Sequence, residues 1–190
     1  MNYLEITGSL VGLLYLWLEY KASIYLWLVS IVMPAIYLVV YYQAGLYADF
    51  GINVYFLLAS VYGWTAWKFK RKSQSEAAAE NGIRHFDKSK FFTVLTVFAG
   101  CLLLIAWILI RFTDSTVPWL DSFTTSASII AMWMLAKKYA EQWLVWIAVD
   151  IVSSGLYVYK ALYFTAALYL LYTVIAVLGY RNWIKMIREQ

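Results

Sequence analysis

Hydrophobic and polar positions alternate along this chain on the scale of whole segments rather than of single residues. Runs of mostly apolar residues are separated by polar connections, and about 20 apolar residues are what an α-helix needs to cross a membrane. A transmembrane barrel would require apolar and polar residues to alternate, whereas these runs are apolar on every face. The pattern predicts an all-α polytopic membrane protein with seven transmembrane helices, at 3–19, 24–42, 49–67, 89–110, 119–136, 140–158 and 162–180.

A single long polar segment, "KFKRKSQSEAAAENGIRHFDKSK", separates the third run from the fourth. The other connections are short, so consecutive helices are expected to be antiparallel neighbours. These features predict four parts: a first three-helix repeat at 1–69, a cytoplasmic loop at 70–88, a linker transmembrane helix at 89–111, and a second three-helix repeat with a tail at 112–190.

The chain contains an internal repeat at an offset of 116 residues, which places 3–67 on 119–183 without a gap. Tryptophan is rare enough that coincidences in one ungapped frame indicate a repeat, whereas shared membrane composition would match leucines and valines. Because each repeat has an odd number of helices, the linker helix gives both repeats the same orientation, in a 3+1+3 arrangement of parallel, pseudo-symmetric repeats like that of the SWEET carriers. The matched pairs are Trp17 and Trp133, Trp27 and Trp143, Trp67 and Trp183, Tyr41 and Tyr157, Gly63 and Gly179, and Lys21 and Lys137.

The basic residues predict the orientation of the chain. If the polar loop is cytoplasmic, all of the 15 Lys and Arg residues except Arg111 and Lys160 lie on the cytoplasmic side. The positive-inside rule then places the N-terminus outside and the C-terminus in the cytoplasm. The formal net charge of +4 reflects this bias and an attraction to anionic lipid, and no basic soluble face indicates nucleic acid.

Composition argues against an enzyme and a metal centre. Hydrophobic residues make up 64% of the chain and charged residues 14%, against about 25% charged in soluble domains. Cys101 is the only cysteine, and His85, the only histidine, lies in the polar loop. An intramembrane enzyme would need paired acids, a metal set or an activated nucleophile. We expect no catalytic residue, no metal and no cofactor.

Asp150 is the most informative residue, because a carboxylate near the middle of a span costs about 2.5–3.5 kcal/mol on insertion scales and usually marks function. Steps of three or four residues place Trp143, Trp146, Ser154 and Tyr157 on the same face of the sixth helix. Lys90 stands at the very end of its span, so the chain has no intramembrane lysine, arginine or histidine for Asp150 to pair with. An unpaired buried carboxylate needs hydrogen-bond donors, water, protonation or a cationic ligand. Because tryptophan can stack on a flat or cationic ring, this stripe predicts a pocket for a small, aromatic, cationic solute.

Polar and aromatic side chains of the first repeat complete the predicted substrate-binding set. Pro34 occupies the position equivalent to Asp150, and a proline inside a span frees a backbone carbonyl. Hydroxyls can also simply join helices, and aromatic residues at span ends, such as Trp67 and Trp183, are typical interfacial anchors. The first-repeat residues are Trp27, Tyr37, Tyr41, Asn53 and Ser60; Tyr169, Tyr172 and Thr173 add polar groups in the seventh helix, outside the predicted set.

Two long segments resemble signatures of the Pnu vitamin transporters: "WLVWIAVDIVSSGLYVYKALYFTAALYLLYTVIAVLGYRNW" and "GLYADFGINVYFLLASVYGWTAW". The resemblance covers nearly the whole chain and implies facilitated diffusion of a vitamin through a bacterial inner membrane. It also implies a homotrimer and a cytoplasmic kinase that traps the vitamin inside the cell.

The same resemblance bears on the substrate. Carriers of nicotinamide riboside typically have Trp-x-x-x-Asn in the sixth span, whereas this chain has Trp146-Ile-Ala-Val-Asp150, and it lacks their Asn-Trp-Pro run. Both departures resemble the thiamine-carrying branch, and thiamine combines a thiazolium cation with an aminopyrimidine. We therefore expect a thiamine uniporter. Nicotinamide riboside, also a cation, is the alternative, and a purely structural or receptor protein would leave the polar stripes unexplained.

Overall fold

The computed structural model describes residues 3–43, 47–73 and 82–189. Within these ranges the chain forms seven α-helices and no strand. A 3-10 turn at Lys88–Lys90 precedes the fourth helix. The helices are α1 Tyr3–Tyr20, α2 Leu26–Gln43, α3 Tyr47–Ser73, α4 Phe91–Phe112, α5 Pro118–Ala136, α6 Gln142–Tyr159 and α7 Tyr163–Arg188.

The predicted helices are all present, but two of them end later than the apolar pattern indicates. α3 continues to Ser73 and α7 to Arg188, although the apolar runs end at 67 and 180. The added turns are rich in lysine and arginine, which are good helix formers and so continue a helix beyond the apolar run. The apolar run therefore predicts the length of the apolar part of each helix, and it underestimates the total length of α3 and α7.

Three helical segments are long and apolar enough to cross a membrane by length and composition, among the residues that the structure describes. They are Lys88–Phe112, Gln142–Tyr159 and Tyr163–Arg188, with mean hydropathies of 2.6, 1.2 and 1.6. Shorter apolar helical stretches cover Leu10–Tyr20 and Leu26–Val39. In the first segment, which contains α4, only 6% of the apolar window is buried, so its apolar surface is left to contact lipid or another protein surface.

The chain divides into two compact units. The first contains Met1–Gly82, Ala136–Lys138 and Met186–Gln190, and the second contains Ile83–Leu135 and Tyr139–Lys185. α1 to α3 therefore belong to the first unit, whereas α4, α6 and most of α5 and α7 belong to the second. The 3+1+3 arrangement of the repeats stays a prediction.

One packing motif occurs in each unit at the predicted offset of 116 residues. In the first unit, Trp27 on α2 packs against Gly63 and meets Trp67 edge-on, with ring centroids 5.6 Å apart. In the second, Trp143 on α6 packs against Gly179 and meets Trp183 with centroids 5.8 Å apart. We define these contacts as the two tryptophan–glycine contacts.

The interpretation of Trp67 and Trp183 as interfacial anchors is wrong. Their side chains are 4% and 0% exposed, because each ring forms an edge-to-face pair inside its unit. The Trp67 indole also donates a hydrogen bond to the carbonyl of Ala136 at 3.1 Å. The position of a tryptophan at the end of an apolar run does not distinguish a membrane-interface contact from a helix-packing contact.

The chain returns from the polar loop through a short segment fixed to the α5–α6 connection. Arg84 forms a parallel β-bridge with Tyr139, and the Glu141 carboxylate accepts the Phe86 amide proton at 2.7 Å. His85 Nδ1 lies 2.8 Å from the other Glu141 oxygen. We call residues 83–86 the strap. His85 is solvent-exposed, as predicted for a loop histidine, but it has this acidic partner.

Substituting Gly179 tests the tryptophan–glycine contact. A Cβ at Gly179 would lie 2.7 Å from the Trp143 ring, too close for a real contact, and overpacking a core costs about 1–3 kcal/mol. Gly179→Ala should therefore lower the midpoint of thermal unfolding, measured by circular dichroism in detergent. Gly155→Ala on α6 is the control, because its Cβ would meet nothing within 4 Å. Equal midpoints for the two variants would contradict the contact.

Candidate functional site

Asp150 lies at the midpoint of α6, as the ninth of its 18 residues. It is 7% exposed, although aspartate is rarely buried in proteins unless it is paired. In the part of the chain that the structure describes, no lysine, arginine or histidine lies within ion-pair distance of its carboxylate. The predicted unpaired acid is therefore present and buried within the second unit.

Two contacts position α6 against α7 on either side of Asp150. Trp143 packs on Gly179 near the start of α6, and the Ser154 hydroxyl donates to the Ala166 carbonyl at 3.0 Å one turn after Asp150. Glycine and alanine at these positions allow the helix backbones to approach closely, as in other membrane helix pairs. These contacts hold Asp150 at the level of the tyrosines of α7.

An aromatic cluster lies near the carboxylate within the second unit. Tyr157 of α6 and Tyr169 of α7 stack with centroids 5.2 Å apart and an interplanar angle of 29°. Tyr172 lies beside Tyr169, 5.7 Å away, and both α7 tyrosines are close enough to Asp150 for an electrostatic interaction. Phenol hydroxyls can donate hydrogen bonds to a carboxylate or a ligand. The site therefore combines one acid with stacked rings.

Trp146 presents a second buried polar atom, one turn before Asp150 on the same helix face. Its Nε1 is buried and has no hydrogen-bond partner among the described residues, although buried indole groups usually find an acceptor. The Nε1 atoms of Trp27 and Trp143 also lack one within the described ranges, so an unpaired indole alone is not diagnostic. The combination with a buried carboxylate four residues later distinguishes Trp146.

Several other predicted site residues have structural contacts instead. Trp27 and Trp143 are fully buried in the two tryptophan–glycine contacts, so a ligand cannot stack on either ring without displacing that packing. Ser154 and Ser60 donate their hydroxyl protons to backbone carbonyls. These contacts are the structural roles of the four residues, and their role in substrate binding stays a prediction.

The carbonyl released by Pro34 has a partner. Proline has no N–H to donate to the carbonyl four residues earlier, which here belongs to Ser30. The Ser60 hydroxyl of α3 lies 3.2 Å from this oxygen and 2.7 Å from the carbonyl oxygen of Phe56. Ser60 therefore shares its single hydroxyl proton between the Phe56 carbonyl of its own helix and the Ser30 carbonyl, and so joins α2 to α3.

The remaining first-repeat candidates lie in the first unit. Tyr37 is 40% exposed, Asn53 is half-buried, and the side chain of Tyr41 lies outside the described residues. Within the second unit, Trp146, Asp150 and Tyr157 follow one another along one face of α6, and Tyr157 stacks on Tyr169 of α7.

Sequence reasoning did not place Tyr169 and Tyr172 in the site. Their spacing of three residues put them on one face of α7, which was the available signal, but a single helix does not show which neighbour that face meets. It also missed Glu19, which is fully buried and hydrogen bonded to Tyr15 one turn earlier. In the sequence, an acid at the end of an apolar run looks like a residue at the membrane interface. The burial of Glu19 could therefore be recognised only from the structure.

A buried acid beside aromatic rings in the middle of an apolar helix is a feature of solute sites in membrane transporters. The family model of the nicotinamide mononucleotide transporter matches residues 2–185, and the chain therefore belongs to this family of vitamin transporters. The family resemblance read from the sequence is thereby confirmed.

Three similar proteins illustrate the family. The nicotinamide riboside transporter PnuC of Escherichia coli strain K12 is 26% identical over 100% of this chain and 88% of its own length. The riboflavin/roseoflavin transporter RibM of Streptomyces davaonensis is 23% identical over 94% of this chain and 83% of its own. The crystal structure of the vitamin B3 transporter PnuC superposes with a TM-score of 0.70 at 22% identity, covering 95% of this chain and 80% of that one, which shows the shared fold.

Proposed function

We propose that this protein is a thiamine uniporter and that Asp150 is the residue that receives the vitamin. The observation that carries the proposal is the buried carboxylate at the midpoint of α6 with no cationic side chain at ion-pair distance in the described chain. A buried charge without compensation is strongly unfavourable. A cationic substrate supplies that compensation when it binds and removes it when it leaves.

The aromatic cluster supports a flat, ring-containing substrate. Tyr157 and Tyr169 already stack on each other, and an aromatic face attracts cations as well as rings. Thiamine offers a thiazolium cation for the carboxylate and an aminopyrimidine for stacking or hydrogen bonding. The unpaired Nε1–H of Trp146 adds a donor for a ring nitrogen or hydroxyl of the same substrate.

Nicotinamide riboside is the second candidate, and the names of the PnuC relatives favour it. It is also an aromatic cation, so the charge argument applies equally to it. The riboside motif, however, has asparagine where this chain has Asp150. The RibM relative is named for riboflavin and roseoflavin. Similarity to this chain is therefore shared by proteins that are named for different vitamins, and a binding measurement distinguishes the two candidates.

Variants of Asp150 test the substrate assignment. A hydrogen bond to a charged group contributes about 1.5–3 kcal/mol, so Asp150→Ala should weaken thiamine binding by roughly one to two decades. Asp150→Asn keeps the shape and removes the charge, and it should lose thiamine affinity while gaining affinity for nicotinamide riboside. Titration calorimetry on monodisperse protein with both vitamins measures these changes.

The matched controls for this series are an exposed acid and an exposed indole. Asp114→Asn removes a carboxylate, and Trp119→Phe removes an indole, at exposed positions. Neither should change binding, whereas Trp146→Phe should weaken it. If folded Asp150→Ala binds thiamine like the parent, the carboxylate is structural. If the parent binds nicotinamide riboside but not thiamine, the second candidate is correct.

Transport should be equilibrative, with accumulation arising from phosphorylation of the vitamin inside the cell. The sequence has no chain of acids along the spans for ion coupling. In liposomes, uptake of labelled thiamine should stop at equal concentrations, and enclosing a thiamine kinase with ATP should make it continue. Concentrative uptake driven by a proton or sodium gradient in kinase-free liposomes would refute this mechanism.

We also propose that the chain lies in the bacterial inner membrane with its C-terminus in the cytoplasm. Ser89 just before α4 and Thr116 just after it are both exposed, and a helix that spans the bilayer separates them. In a Cys101→Ala background, an impermeant maleimide should label Thr116→Cys in cells with a permeabilised outer membrane. Ser89→Cys should react only after the inner membrane is lysed, and the reverse pattern would overturn the orientation.

A further inference from the structure

The second unit contains an apolar groove that the vitamin site does not use. Its volume is about 340 Å³, and every residue that lines it is apolar. Asp150 is not among those residues, and the groove offers no polar group to a vitamin. An apolar cavity of about 150 Å³ accommodates benzene, so this groove has room for a length of hydrocarbon chain.

The groove begins at the first residue of α4 and follows one face of that helix. Phe91, Val94 and Phe98 line it at helical spacing, so its wall covers about 10 Å of the helix axis. Ala127 of α5 and Ala148 of α6 line it as well, and their small side chains leave the space open. Most of α4 is exposed and apolar, so the groove opens onto the outer, apolar surface of this helix.

Cationic side chains stand at the end of the groove where α4 begins. Lys88 and Lys90 are exposed in the turn that directly precedes Phe91, and Arg84 is exposed in the strap. Two acids lie beside these three cations: the Asp87 carboxylate accepts the Ser89 amide proton at 3.0 Å, and the Glu141 carboxylate is bound to the strap. The excess of positive charge complements an anionic headgroup, and basic residues beside a membrane helix attract anionic lipids.

The strap fixes this cationic turn at the groove. Phe86 packs on the cluster of Ile130, Met134 and Tyr139. Three groove residues pack on the same cluster: Val94, Phe98 and Val145. The Glu141 carboxylate holds the backbone of Phe86. The wall of the groove and the segment that carries the lysines to it therefore share one packed cluster.

We infer that this groove binds an anionic phospholipid, with an acyl chain along α4 between α5 and α6 and the headgroup at Lys88 and Lys90. The apolar lining excludes a polar solute, and the charge at the groove's end selects the headgroup. The groove lies along the first turns of α4, next to the two lysines. It would therefore hold the part of the acyl chain that is nearest to the headgroup.

Native mass spectrometry of the purified full chain tests this site. Titration with phosphatidylglycerol and with phosphatidylcholine of identical acyl chains should show preferential binding of phosphatidylglycerol. The double variant Lys88→Gln with Lys90→Gln should lose roughly fivefold in affinity for each lysine. Arg111→Gln, at the opposite end of α4, is the control and should bind like the parent.

A second pair of variants tests the groove itself. Ala148 and Ala99 are both exposed alanines on membrane helices, but only Ala148 lines the groove. Ala148→Phe should abolish retention of phosphatidylglycerol, and Ala99→Phe should not, with thermal unfolding confirming that both variants fold.

Three outcomes would overturn the inference. Equal binding of the two lipids would remove the anionic headgroup from the site. Competition by glycerol 3-phosphate as effective as that of the lipid would indicate a phosphate site without an acyl chain. A change of oligomeric mass in Ala148→Phe, with no lipid on the parent, would show that a second copy of the chain fills the groove.

Discussion

The contact between the Trp143 indole and the bare Cα of Gly179 determines how closely α6 approaches α7. A transmembrane helix satisfies its own backbone hydrogen bonds and gains little from burying one apolar surface on another. Close packing against small residues therefore has to hold such helices together. Every contact around Asp150 depends on this pairing, because the stacked tyrosines and the Ser154 hydrogen bond both join the same two helices.

The two repeats use equivalent positions in opposite ways. In the first, Pro34 releases the Ser30 carbonyl, and the Ser60 hydroxyl lies 3.2 Å from that oxygen. In the second, the residue equivalent to Pro34 is Asp150, and the residue equivalent to Ser60 is Ala176, which has no hydroxyl. The two equivalent positions therefore carry different chemistry, a backbone carbonyl with a hydroxyl partner in the first unit and a buried carboxylate in the second.

The sequence predicted the number and type of the helices and the shared face of Trp146, Asp150 and Tyr157, because hydropathy and helical periodicity are properties of one segment. It did not predict that Trp67 and Trp183 are buried, since the same aromatic side chain suits a membrane interface and a packed helix pair equally well. The roles of Tyr169 and of Ser60 also required the structure. Both depend on which helices meet, and that information lies in the pairing of segments rather than in any one of them.

The Glu141 side chain connects two parts of the chain that are far apart in sequence. It binds His85 and the Phe86 backbone and stands immediately before the first residue of α6. The point at which the polypeptide enters α4 is consequently set by the α5–α6 connection and not by the loop upstream. A substitution at Glu141 would therefore loosen the entry to α4 as well as the start of α6, although the two are remote in sequence.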